Sequence, residues 1–282
     1  MTTRQVPPRA AVSALVGASH PVPSVAVTTF ATVVAAATGR SLTGCVLVAT
    51  AVATGQLSIG WSNDVLDRTR DAVARRTDKP LARGAVSARV VAWSSGVALA
   101  ACVPLSFASG WAAGAAHLAA VGGGWAYNLG LKRTALSFVP YAWSFGLLTA
   151  FLTLGLPGSP GPHPWALAAG SSLGVGAHFL NVVPDVDDDL AAGVRGLPQR
   201  LGAHVSAVLG AALMLAATAL VVLAPAGPVP GWAWAGLGLA VLTAAGAVLG
   251  GLRGHGRRGF LWAVATAAVA VALLVARGSD LA

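Results

Sequence analysis

Asn63, Asp67 and Asp71 recur at every fourth position, and Asp185 and Asp189 repeat that spacing far down the chain. On a helix, residues four apart share a face, so each set would present its oxygens to one volume, with Asp64 one position to the side of the first. Carboxylates and a carboxamide are hard oxygen donors. They suit Mg²⁺, which keeps several of its waters, takes one or two carboxylates per ion and often completes its shell with phosphate oxygens. Several carboxylates aimed at one volume would repel one another without cations, so the pattern asks for a metal. Asn63, Asp64, Asp67, Asp71, Asp185 and Asp189 are therefore the candidate metal ligands, and the five aspartates the candidate catalytic set. The chain has no Glu, and eight of its nine acids lie in two stretches, at 64–78 and 185–189. Solvated loop charges would not be gathered in this way beside apolar runs, where ionisable groups are usually functional.

The elements that must carry these residues are membrane helices. The 282 residues are 56% hydrophobic and 10% charged, with a mean hydropathy of +0.73, far from the composition of a soluble domain. A helix needs about 20 residues to cross roughly 30 Å of hydrocarbon. By that measure the charge-free runs 10–39 and 41–63 each hold one span, 90–131, 134–184 and 201–252 each hold two, and 259–276 holds a last one. The expectation is a bundle of nine transmembrane helices around a central cavity, all α, in a single domain over 1–282. The double-length runs break at "SFASG", "GLPGSPGPHP" and "APAGPVPG", which read as tight uncharged turns. Residues 9–19 read as a short interfacial helix ahead of His20 and Pro21, within an N-terminal segment 1–22 that lacks the pattern of a removable signal peptide.

Assigning loops alternately to two sides gathers sixteen of the eighteen cations on one side and leaves Arg40 and Arg277 opposite. By the positive-inside rule the N-terminus and both aspartate stretches are cytoplasmic, in the cell membrane. The net charge of +9 is accounted for by this topology and by anionic headgroups, so no nucleic-acid partner is expected. Cys45 and Cys102 show no metal or disulfide spacing and read as packing residues. The histidines also lack paired spacing. His178 and Asn181 precede Asp185 on one helix and are candidates to face the cavity, while His20, His117, His163, His204 and His255 read as structural or interfacial.

With these residues in view, the chain resembles the UbiA superfamily of intramembrane prenyltransferases. "NDVLDRTRD" is similar to the first aspartate signature of that family, N-D-x-x-D-x-x-x-D. "DVDDD", followed by "LAAGVRGLPQRLG", is similar to the second, with its downstream Gly, Leu-Pro and Leu-Gly. The likeness covers nearly the whole chain. It implies two Mg²⁺ ions, an isoprenoid diphosphate whose tail lies in a lipid-facing tunnel, and transfer of the isoprenoid to an aromatic or other lipophilic acceptor. It also implies roles for cations. Family members usually carry Arg before the Pro-Leu that follows the first signature; here Lys79 stands before Pro80 and Leu81, with Arg75 one turn earlier. Lys is a phosphate-binding point charge but lacks the bidentate fork of Arg. "YNLGLKRT" resembles the family's Tyr and Lys-Arg segment, which adds Tyr127 and Lys132 to Asn63, Arg75, Lys79 and Asn181 as candidate substrate-binding residues.

Other readings use the same acids. Transfer of a phosphosugar unit to a polyprenyl phosphate also needs two aspartate motifs and Mg²⁺. A cation-binding transporter would place its acids near mid-bilayer on broken helices, whereas both sets here fall at helix mouths on one side. A phosphatidyltransferase that uses CDP-alcohols carries a single compact motif, not two separated by four spans.

Overall fold

The structure, a computed structural model, describes residues 8–73, 79–252 and 256–282. Arg75 lies outside the described residues. Helices α1 (Pro8–Ala18), α2 (Pro21–Ala37), α3 (Leu42–Val73), α4 (Ala88–Phe107), α5 (Trp111–Leu129) and α6 (Val139–Leu154) are followed by α7 (Pro164–Val182), the short α8 (Val186–Ala191), α9 (Leu197–Leu223), α10 (Gly231–Leu252) and α11 (Gly256–Ala276). Proline stands in the first turn of α2, α6, α7 and α9, where its missing N–H costs no hydrogen bond. Ser87 caps α4 by accepting from the Val90 amide.

Successive helices pack side by side from α2 through α7, α7 packs on α9, and α9 on both α10 and α11; α11 returns against α2 and closes the ring. The buried surfaces are small: Ala31, Ala35, Ala51, Ala113, Ala166, Ala169, Ala217 and Ala270 all lie in the core. Close approach of small residues supplies packing where lipid gives no hydrophobic drive between helices.

Among the described residues, six helices are long and apolar enough to cross a membrane, or seven if α1 and α2, bent by 61°, form one span. The expected count of nine spans is thus met only in part. α6, with 16 residues, falls short of the length. α5 is 19 residues long but is diluted by glycines, His117, Tyr127 and Asn128. The charge-free runs measured distance between charges and were blind to this dilution.

At the end of the bundle away from the aspartates, Arg40 is buried and donates from Nε to the Leu152 carbonyl and from Nη2 to that of Phe151, at 3.0 and 2.6 Å. It satisfies carbonyls that the last turn of α6 leaves open and pins the α2–α3 turn to that helix. Cys45 and Cys102 are buried free thiols, in keeping with packing roles.

Two features place the functional end. α3 runs on for 32 residues without a break, so the helix that crosses the bundle also carries Asn63 to Asp71. The α1–α2 elbow then folds over that extension. A Cβ on Gly60 would collide with the Ser19 carbonyl oxygen, so this position admits only glycine at such close approach. Trp61 Nε1 donates to the Leu15 carbonyl at 2.9 Å and fixes α1 in place.

Candidate active site

The C-terminal ends of α3, α5 and α7 and the N-terminal end of α2 meet at one end of the bundle, around a cavity of about 480 Å³. From α3 it is lined by Asn63, Asp67, Arg70 and Asp71; from the segment after α3 by Lys79 and Pro80. Tyr127 and Lys132 line it from the end of α5 and the 3₁₀ turn Leu131–Arg133, and Asn181, Asp185, Asp189 and Val194 from α7 and the turns that follow. The elbow contributes Gly17, His20, Pro21, Val22 and Pro23. The two aspartate stretches, more than a hundred residues apart in the chain, thus face one volume. Asp187 and Asp188 are exposed and do not line it.

The acids arrive with their own cations. Lys132 is buried and its Nζ donates to Asp67 Oδ2; Arg70 Nη2 reaches the same oxygen at 2.7 Å. Burial pushes the Lys132 ammonium below its ordinary pKa, and the Asp67 carboxylate pulls it back up. Arg133 is half exposed and only 4.0 Å from Asp67 Oδ1, an oxygen that otherwise has no hydrogen-bond partner among the described residues. On the far wall, Gln199 Nε2 donates to Asp189 Oδ2 at 2.8 Å.

Asp64 corrects the expectation that it stands with the other acids in the cavity. It is 1% exposed, and its Oδ1 takes Lys79 Nζ at 2.8 Å and His20 Nε2 at 2.9 Å. A carboxylate oxygen can only accept, so His20 carries its proton on Nε2, and Lys79 and His20, 3.0 Å apart, meet as two donors on a shared acceptor. One residue step around a helix is about 100°, which turns Asp64 off the face of Asp67 and toward the elbow. His20 is the second correction: expected to be structural or interfacial, it lines the cavity. Its backbone is left-handed, with φ 53° and ψ 63°, a strained conformation for a residue preceding proline and one that the contact with Asp64 helps hold.

His178 is 1% exposed and sits behind the cavity wall rather than in it. Its ring stacks on Tyr141 at 4.4 Å, and both meet the ring of Tyr127 edge-on, which fixes the tyrosine that does line the cavity. Among the described residues, no three His, Cys, Asp or Glu side chains are grouped closely enough to hold a metal ion among themselves.

Arg70 and Gln199 were not singled out in the sequence, and His20 was given only a structural or interfacial role. Arg70 is the least surprising, three residues from Asp67 on the same helix. Gln199 lies in the "GLPQRLG" segment already likened to the second signature, and a polar residue there was a usable signal. His20 offered none, because its partner is 44 positions away and the contact depends on the elbow.

An all-helical membrane bundle with a charged, oxygen-rich cavity at one end defines the class. The chain belongs to the UbiA prenyltransferase family, whose model matches residues 24–256. Among solved structures it is similar to a UbiA homolog from Archaeoglobus fulgidus bound to GPP and Mg²⁺, at 18% identity and a TM-score of 0.70 over 94% of this chain and 98% of that one. It is similar also to a UbiA homolog from Aeropyrum pernix in its apo form, at 19% identity and a TM-score of 0.69 over 94% and 98%. A structure concerned with digeranylgeranylglyceryl phosphate synthase in membranes gives 12% identity and a TM-score of 0.68 over 96% and 99%. At these identities the likeness is one of fold. No curated protein sequence matches this chain significantly.

Proposed function

We propose that the protein is a Mg²⁺-dependent intramembrane prenyltransferase that moves an isoprenoid from an allylic isoprenoid diphosphate to an aromatic or other lipophilic acceptor. The observation that carries this reading is the convergence of both aspartate stretches and two lysines on one cavity. The donor set fits Mg²⁺: the candidate ligands all offer hard oxygens, and among the described residues Asp67 Oδ1 is buried without a hydrogen-bond partner. The lack of a closed three-carboxylate group among the described residues is no obstacle, because Mg²⁺ takes one or two carboxylates per ion and shares the rest of its shell with water and phosphate. Asn63, Asp67 and Asp71 would hold metal on one wall, and Asp185 and Asp189 on the other.

Bound Mg²⁺ supplies neutralisation of the charge that builds on the departing diphosphate. Lys132 and Lys79 add point charges for the phosphate oxygens, with Arg75 a further candidate outside the described residues. Asp64 holds Lys79 at the cavity edge, with His20 bound to the same oxygen, and in this reading Asp64 serves there rather than as a metal ligand. Tyr127 and Asn181 line the space beside the diphosphate. The apolar helices below exclude water from the allylic cation until the acceptor captures it. The whole chain, 1–282, acts as one domain of nine spans in the cell membrane, with the N-terminus and the active-site end cytoplasmic, as the cation distribution argues. A transporter is disfavoured because the acids sit at one end of the bundle and α3 passes through it unbroken.

The test is Mg²⁺-dependent binding of a non-hydrolysable allylic diphosphate analogue to wild type, Asp67→Asn, Asp189→Asn and the double variant. Each single change weakens binding, and the losses are coupled because both walls act on one metal–diphosphate centre. Binding that is unchanged in EDTA would defeat this function, and strictly additive losses would point to two independent cation sites.

A further inference from the structure

Asn63 stands in the cavity wall as a carboxamide, and a carboxamide is useful to a cation only if its oxygen, not its nitrogen, faces that way. The orientation of such a group is set by its hydrogen-bond network rather than by its shape. Here the network runs in one direction throughout. The Ile59 carbonyl is an obligatory acceptor, and it receives the Ser62 hydroxyl at 2.9 Å and Asn128 Nδ2 at 2.8 Å. Ser62 has spent its proton on that carbonyl, so at 2.9 Å its oxygen accepts from the same Asn128 Nδ2. Both N–H groups of the Asn128 amide are then used, and its oxygen is committed as an acceptor. That oxygen lies 3.1 Å from Asn63 Nδ2, which must donate to it. The remaining atom of the Asn63 amide is Oδ1.

We propose that Asn128 is a positioning residue that turns the oxygen of Asn63 toward the cavity and so makes a neutral amide a cation ligand; the inference rests on the metal-dependent reading above. Asn128 is 4% exposed and does not line the cavity, so it acts only through Asn63. A buried amide at the end of an apolar helix is costly unless all its groups are bonded, and here each is. Orienting partners behind metal ligands typically contribute 10- to 100-fold in metal affinity, and a loss on the order of tenfold or more is expected on removing this one.

The experiment reads metal binding and not turnover. Mn²⁺, as a paramagnetic stand-in for Mg²⁺, is titrated by electron paramagnetic resonance into purified protein holding geranyl thiolodiphosphate, a slow-reacting analogue. Asn128→Leu fills the space, leaves the Ile59 carbonyl its Ser62 partner and frees the Asn63 amide to rotate; Mn²⁺ binding weakens by about 10- to 100-fold. In an Asn63→Asp background, where either oxygen serves, Asn128→Leu causes no further loss. That rescue would not occur if Asn128 merely packed α5 on α3. Ser62→Ala, which removes one acceptor of the Asn128 amide with a residue any helix tolerates, gives a smaller loss and serves should Asn128→Leu unfold, as metal-free melting would reveal. Wild type that binds no Mn²⁺ with the analogue sinks the underlying function; wild type that binds, with both variants equal to it or with the same loss in the Asn63→Asp background, overturns the role of Asn128 alone.

Discussion

The pair Asp67–Lys132 should behave asymmetrically when it is broken. Asp67 and Lys132 are 3% and 4% exposed, so solvent screens neither. Asp67→Asn leaves the Lys132 ammonium buried with no other carboxylate near it among the described residues, and an uncompensated buried charge costs about 3–5 kcal/mol. Lys132→Met leaves Asp67 still paired with Arg70 at 2.7 Å and forfeits one charge-assisted hydrogen bond, a loss of about 1.5–3 kcal/mol. The double variant strands no ammonium. It should be more stable than Asp67→Asn alone, with a coupling of about 1–3 kcal/mol. The assay is unfolding in detergent without metal, followed by the fluorescence of the nine tryptophans. Metal and the diphosphate analogue are then added. Wild type should gain roughly 2.7 kcal/mol at a hundredfold excess over its Kd, and Asp67→Asn little. If Asp67→Asn is no less stable than Lys132→Met, or if the double variant is as unstable as Asp67→Asn, the cation–carboxylate pairing does not govern this wall.

Lys79→Ala should weaken diphosphate binding substantially while Lys79→Arg retains much of it, since charge rather than shape is what this position supplies; calorimetric titration with the analogue decides, and equal, negligible effects would return Lys79 to a topology-setting charge. Cysteine probes at Ser159 and Gly227 should react with an impermeant reagent in intact cells, and probes at Ala85 and Ala191 should not; labelling of the second pair from outside would reverse the assigned orientation.

The first wall of the site was legible in the sequence because it is local. Asn63, Asp67 and Asp71 share a helix face, and a period of 3.6 suffices to see it. The same period says that Asp64 points elsewhere, though not at what. That Asp64 meets His20 and Lys79 depends on the elbow resting on Gly60, a contact between segments 41 residues apart in sequence that no periodicity encodes. Asn128 was hidden for a different reason. One polar residue at the end of an apolar helix reads as a mouth position, and only the direction of its hydrogen bonds gives it meaning. The meeting of the two aspartate stretches was foreshadowed by counting spans, which put both stretches at the same end, although only six or seven of the nine expected spans are long and apolar enough among the described residues.

The uninterrupted course of α3 ties the chemistry to the thickness of the bilayer. At 1.5 Å per residue its 32 residues extend about 48 Å, against roughly 30 Å of hydrocarbon, so about a third of the helix stands beyond the lipid and carries Asn63, Asp67 and Asp71. No hinge separates that portion from the part gripped by lipid, and the helix acts as a lever. A tilt of about 10° over a 30 Å arm moves its end by roughly 5 Å, more than the reach of any ligand contact, and membrane helices answer changes in hydrocarbon thickness by tilting. The Gly60–Ser19 contact and the Trp61–Leu15 hydrogen bond brace the arm just before its acids begin. A helix built this way would carry any tilt imposed on its apolar part to the acids at its end, and the elbow is the contact placed to resist it.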